Sequence, residues 1–182
     1  AAEAGQQVRL RLGGVAGSPV VFDLIGPAGW TAFNGLATSS ELVTLPSAGD
    51  YAVVARGSTG QYGGTYAFRL EETLQTDLSP GVAFSGTFPG SGHARLFRVT
   101  LAESSPLLVT LDDIGTANRS QVYARLGSPP TPRDHDHRSG PSGSADQQLL
   151  VPMAAPGTWY VLLDAAYVPQ PGSYAIRADA AE

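Results

Sequence analysis

Ser47-Ala48-Gly49-Asp50-Tyr51-Ala52-Val53-Val54 and Ala155-Pro156-Gly157-Thr158-Trp159-Tyr160-Val161-Leu162 carry one pattern twice: a turn of small residues around a glycine, then an aromatic residue opening an apolar run. Farther along, Gly64-Thr65-Tyr66-Ala67-Phe68-Arg69 returns as Gly172-Ser173-Tyr174-Ala175-Ile176-Arg177, and the same fifteen-residue step leads from Gly49 to Gly64 and from Gly157 to Gly172. An internal period of about a hundred residues indicates tandem modules.

Working outward from these anchors, apolar and polar residues alternate with the two-residue period of half-buried strands. Val8, Leu10 and Leu12 alternate with Arg9 and Arg11, Tyr66, Phe68 and Leu70 with Ala67 and Arg69, and Phe97, Val99 and Leu101 with Arg98 and Thr100. Leu107-Val109-Leu111 and Tyr174-Ile176-Ala178 continue the pattern, while Gly13-Gly14, Gly26-Pro27, Ser128-Pro129-Pro130 and Pro169-Gln170-Pro171-Gly172 separate the runs as turns. No segment sustains a helical period. The expected fold class is all-β: two tandem antiparallel β-sandwich, jelly-roll-like modules over residues 1–73 and 81–182, joined by a linker at 74–80.

Aligned on sequence, Val8 falls opposite Leu108 and Val21 opposite Val122. Two strand-like runs of the second half, Val82–Phe88 and Arg95–Leu101, find no counterpart ahead of Gln6. The first module is therefore expected to be incomplete, lacking its two opening strands.

Composition narrows the function classes. The 182 residues include 22 Gly and 14 Pro, only 15% are charged, and there is no cysteine, so neither disulfides nor thiolate chemistry is available. All 11 basic residues are arginine, scattered singly in a chain of net charge −5, which disfavours nucleic-acid binding. No apolar run reaches the length of a membrane span. Ala1-Ala2-Glu3-Ala4 has neither the basic nor the apolar region of a secretory leader, and reads as a mature N-terminus or an internal fragment.

The repeat resembles the bacterial pre-peptidase C-terminal domain family. The resemblance rests on Phe97-Arg98-Val99-Thr100-Leu101, Leu108-Val109-Thr110-Leu111, Ala155–Val161 and Gly172-Ser173-Tyr174-Ala175-Ile176. In the first copy it rests on Ala4-Gly5-Gln6-Gln7-Val8, Ala48-Gly49-Asp50-Tyr51 and Gly64-Thr65-Tyr66. It implies a small β-sandwich accessory module of a secreted protein, with collagen or polysaccharide affinity in some members and no catalysis of its own.

Candidate sites are few. Arg133-Asp134-His135-Asp136-His137-Arg138 lies in a long loop, where Asp134, His135, Asp136 and His137 offer imidazole and carboxylate to a divalent metal, against the plainer expectation of a solvated mobile loop. Asp112, Asp113 and Asn118 form an oxygen-rich set of the kind that holds Ca²⁺ at a strand end, without the ligand spacing of a recognised calcium loop. There is no Gly-x-Ser-x-Gly elbow, nothing nearby would orient His93 or the two loop histidines as a base, and no two carboxylates stand out as a pair. Tyr51, Tyr66, Trp159 and Tyr174 sit on matched strands and are expected in the cores. Trp30, Tyr62 and Tyr167 are the better candidates for a ligand-stacking platform, and Asn118-Arg119-Ser120 fits a glycosylation sequon.

These features lead to a secreted, non-enzymatic structural or adhesive module. An incomplete sandwich invites a neighbouring chain to supply strands, and head-to-tail donation builds a filament. The same gap also fits a piece of a longer repeat protein. The alternative is a polysaccharide- or collagen-binding accessory module of a secreted hydrolase.

Overall fold

The computed structural model describes residues 1–57, 64–140 and 143–180. They form strands throughout, with a 3₁₀ turn at Pro27–Gly29 as the one helical element among them. No helix is long and apolar enough to cross a membrane. The chain divides into two compact units, Ala1–Thr73 and Leu74–Glu182.

The first unit contains β1 (Gln7–Ala16), β2 (Val20–Ile25), β3 (Thr31–Leu36), β4 (Val43–Thr44), β5 (Ala52–Gly57) and β6 (Thr65–Glu72). They make two three-stranded antiparallel sheets, ordered β4-β1-β6 and β3-β2-β5. The inward residues of β1 and β2 meet between the sheets in two clusters of three buried side chains each, Val8, Leu24 and Leu45 in one, Leu10, Val20 and Phe22 in the other.

The second unit contains β7 (Leu74–Asp77), β8 (Phe84–Phe88), β9 (His93–Leu101), β10 (Ser105–Asp113), β11 (Arg119–Leu126), β12 (His137–Arg138), β13 (Gln147–Ala154), β14 (Gly157–Tyr167) and β15 (Gly172–Ala180). Its sheets are ordered β13-β10-β15-β8 and β12-β11-β14-β9-β7. One continuous core fills the space between them, with Leu107, Val109 and Leu111 of β10 and Tyr174, Ile176 and Ala178 of β15 facing Val122, Val161, Leu163, Phe97 and Val99.

Part of the stretch read from sequence as a linker is structured. Leu74–Asp77 runs parallel to β9, pairing Leu74 with Arg95 and Asp77 with Arg98. Arg98 Nε and Nη2 donate to the Asp77 carboxylate at 2.6 and 3.0 Å, Arg95 Nη2 donates to Thr76 Oγ1 at 2.8 Å, and the next residue, Leu78, is buried in the core.

The two units follow one plan. Taking Gly49 with Gly157 and Tyr66 with Tyr174 as anchors, β1, β2, β3, β4, β5 and β6 correspond to β10, β11, β12, β13, β14 and β15. The observed registers correct the sequence alignment by one residue. Leu10 pairs with Leu70 as Val109 pairs with Ala178, so Val8 corresponds to Leu107 rather than Leu108. Phe22 pairs with Ala55 as Val122 pairs with Leu163, so Phe22, not Val21, corresponds to Val122. A slip of one residue sends every side chain of a strand to the opposite face. The runs Val20-Val21-Phe22 and Leu107-Leu108 are apolar at both parities, which left the slip invisible in sequence.

Candidate functional site

Subtracting one plan from the other leaves β7, β8 and β9. In the second unit β8 lies outside β15, and β9 lies outside β14. In the first unit, among the described residues, nothing lies outside β6 or β5, and both are edge strands on the same side of the sandwich.

The side chains record the difference. Tyr174, Ile176 and Ala178 are 2%, 0% and 0% exposed, whereas their counterparts Tyr66, Phe68 and Leu70 are 47%, 41% and 46% exposed. These three nevertheless face inward. Leu70 pairs with the fully buried Leu10, and Phe22 of the opposite sheet lies 5.5 Å from the ring centroids of both Tyr66 and Phe68, which stack on each other at 6.2 Å. They line the open side of a sandwich, with their backbone edge running alongside. The sequence expectation of a core role therefore fits Tyr174 and Trp159 but not Tyr66, because the strand that would cover Tyr66 is missing from the described residues.

In the complete unit the corresponding contact is close. Tyr174 pairs with Gly86 and stacks on Phe88 with ring centroids 4.3 Å apart. A Cβ on Gly86 would stand 2.5 Å from Cζ of Tyr174, so the ring occupies the space that any other residue would need. Burial pushes the Tyr174 phenol upward, an effect that nearby Arg95 offsets in part.

In the first unit, Glu71 and Asp23 are held by ion pairs. Glu71 of β6 meets Arg11 at 3.0 Å and Arg69 at 2.8 Å; desolvation works against its ionised form, yet these two guanidinium groups hold its carboxyl below the ordinary range. On β2, Asp23 accepts bonds at both oxygens from Arg56 of β5 at 2.8 and 3.2 Å, and the Gly35 N–H adds a third at 2.5 Å. The Asp23 carboxyl is lowered accordingly.

The structure disperses the other candidate residues. Trp30 packs edge-to-face on Tyr51, 5.8 Å away at one end of the first unit, and takes part in its core. Tyr167 is 49% exposed with the Arg119 guanidinium 5.9 Å from its ring centroid. Tyr62 lies outside the described residues. Asp113 is buried and its carboxylate already accepts bonds from Asn118 Nδ2 at 2.9 and 3.1 Å and from the Gly115 N–H at 3.0 Å, while Asp112 is exposed on the other side of the strand. Asn118 itself is 3% exposed, so its amide faces Asp113 and not solvent.

The histidine loop is pinned to β11. The Asp136 N–H donates to the Ala124 carbonyl and the Ser139 N–H to that of Val122. Asp134 pairs with Arg125, Asp136 accepts from the Leu126 N–H, His135 packs on Tyr123 and His137 on Trp159. Each of the four points to a different partner, and among the described residues no three His, Asp or Glu side chains converge into a metal cluster.

No protein-family model matches the chain, and no curated protein matches it. Among solved structures, it is similar to the crystal structure of the pre-peptidase C-terminal domain of a collagenase from Bacillus anthracis, with a TM-score of 0.48 and 12% identity over 59% of this chain and 96% of that one. That domain belongs to the family which the sequence motifs resemble.

Proposed function

We propose that the chain is a non-catalytic structural module of an extracellular bacterial protein, and that it joins its neighbours through the open edge of its first unit. The resemblance of its motifs to a secreted accessory domain supports the location. The contrast between Tyr66, Phe68 and Leu70 and their buried counterparts carries the mode of action.

An unpaired strand edge beside an apolar face is a template for pairing with another chain. Full burial of one large apolar side chain stabilises by roughly 1.5–3 kcal/mol, so covering three half-exposed ones is a substantial drive to associate. Pairing of β6 with a different edge of the next copy is head-to-tail, and extends into a filament wherever its rotation does not close a ring.

Light scattering with negative-stain microscopy of the 182-residue chain tests this reading. Oligomers or filaments that grow with concentration and disappear in Tyr66→Asp are expected. A monomer at every concentration would remove the self-association reading.

A further inference from the structure

We infer that the surface formed by β6 and β5 is built to receive one particular kind of partner: a β-arch from another module of this repeat type, two consecutive strands that enter the two sheets, bearing glycine where the first strand crosses Tyr66. The inference rests on the proposed role of that edge and specifies what occupies it.

The second unit shows such an arch seated on the equivalent surface. There β8 and β9 are consecutive strands of a β-arch, β8 pairing with β15 in one sheet and β9 with β14 in the other, so that a single arch completes both sheets at once. Its side chains are spaced to match the surface. Gly86 lies under Tyr174, Phe84 faces Ile176 and Phe88 faces Gly172, while Val99 faces Trp159 and Phe97 faces Val161.

Carried onto the first unit, the same registers require glycine opposite Tyr66, a large apolar residue opposite Phe68 and another opposite Gly64. The second strand presents apolar residues opposite Tyr51 and Val53. Tyr66 enforces the glycine, since in the second unit the tyrosine ring fills the volume of any Cβ at that point. An arch shifted by one residue would set a side chain against the ring and turn its apolar row outward.

The partner does not come from residues 84–101 of the same molecule, which are already seated in the second unit. Moving that arch across would complete one sandwich by opening the other. The occupant is therefore a segment other than residues 84–101, and the proposal assigns it to another module.

A synthetic peptide of residues 82–101 is the probe, added to the full chain. Saturable one-to-one binding is expected, with amide exchange slowed in β6 and β5 and unchanged in β15. The Gly86→Val peptide should bind at least tenfold more weakly. Because that change also alters the peptide's own strand propensity, a second arm uses the Tyr66→Ala chain, where removal of the ring should restore most of the affinity of the Gly86→Val peptide. Equal binding of both peptides to the unaltered chain overturns the glycine requirement. Failure of the unaltered peptide to slow exchange in β6, whether because a second copy already covers that edge or because the peptide only displaces the resident arch, overturns the inference. The scattering result stands apart from these outcomes: a chain that assembles but ignores the peptide keeps the proposed function and loses this partner, and a monomer that binds it does the reverse.

Discussion

The indole N–H of Trp159 donates to the carbonyl of Ala155 at 3.0 Å, four residues upstream, and ties the start of β14 to the turn before it. The first unit repeats the device with a different side chain, since Tyr51 Oη donates to the Ser47 carbonyl at 2.7 Å. In both copies a large ring closes the turn around the matched glycine with its polar tip. Tyr51→Phe removes that bond together with the longer contacts of the hydroxyl to the Ser47 N–H at 3.4 Å and the Ser47 Oγ at 3.5 Å, and should lower stability by about 0.5–1.5 kcal/mol, measured by urea unfolding. An unchanged midpoint would show that the tie is not needed.

Tyr174 differs from Tyr51 in that its buried hydroxyl has no hydrogen-bond partner. Tyr174→Phe should therefore leave stability unchanged or raise it, while Tyr174→Ala should cost about 3–5 kcal/mol by opening a cavity beside Phe88. The matching Tyr66→Ala, at a half-exposed site, should cost far less. Equal losses at the two positions would mean that the first unit is closed in solution.

Asn118 holds the buried carboxylate of Asp113 with both oxygens engaged. Asn118→Ala strands part of that carboxylate and should cost about 1–3 kcal/mol. Because Asn118 is buried, mass spectrometry of chain folded before exposure to a glycosylating extract should find the sequon unmodified.

Asp23 supplies a pH dependence with a definite sign. The Arg56 hydrogen bonds, then that of Gly35, lower its carboxyl from the ordinary value of 3.8, so its contribution to stability is present above that value and fades as pH falls through the lower folded one. Asp23→Asn should be less stable than the unaltered chain at pH 7, and the gap should narrow below about pH 4. A gap that persists undiminished into strong acid would assign the effect to packing.

The repeat, the all-β class and the lack of counterparts to β8 and β9 among the described residues of the first unit could all be read from residues, because glycine and aromatic anchors recur at fixed spacing and Phe97–Leu101 has no earlier partner within the sequence. Other features were not legible for identifiable reasons. Leu74-Gln75-Thr76-Asp77 is four residues long and followed by Ser79-Pro80-Gly81, so nothing local announces a strand; its pairing with β9 is parallel and nonlocal. Tyr66 carries the same local pattern as Tyr174, and it is half-exposed because no strand among the described residues lies beside it. The histidine loop reads as loose because its anchors, the carbonyls of Val122 and Ala124, belong to backbone that has no sequence signature.

The placement of β7 also bears on how the protein carries mechanical load. Tension on the chain ahead of Leu74, applied along the strand, draws β7 lengthwise against β9, so the whole ladder from Leu74 to Asp77 and the Asp77–Arg98 pair resist together. That short edge strand must yield before the pull reaches Leu78 and the core behind it. It can act as a sacrificial link, dissipating force and re-forming when the tension is released.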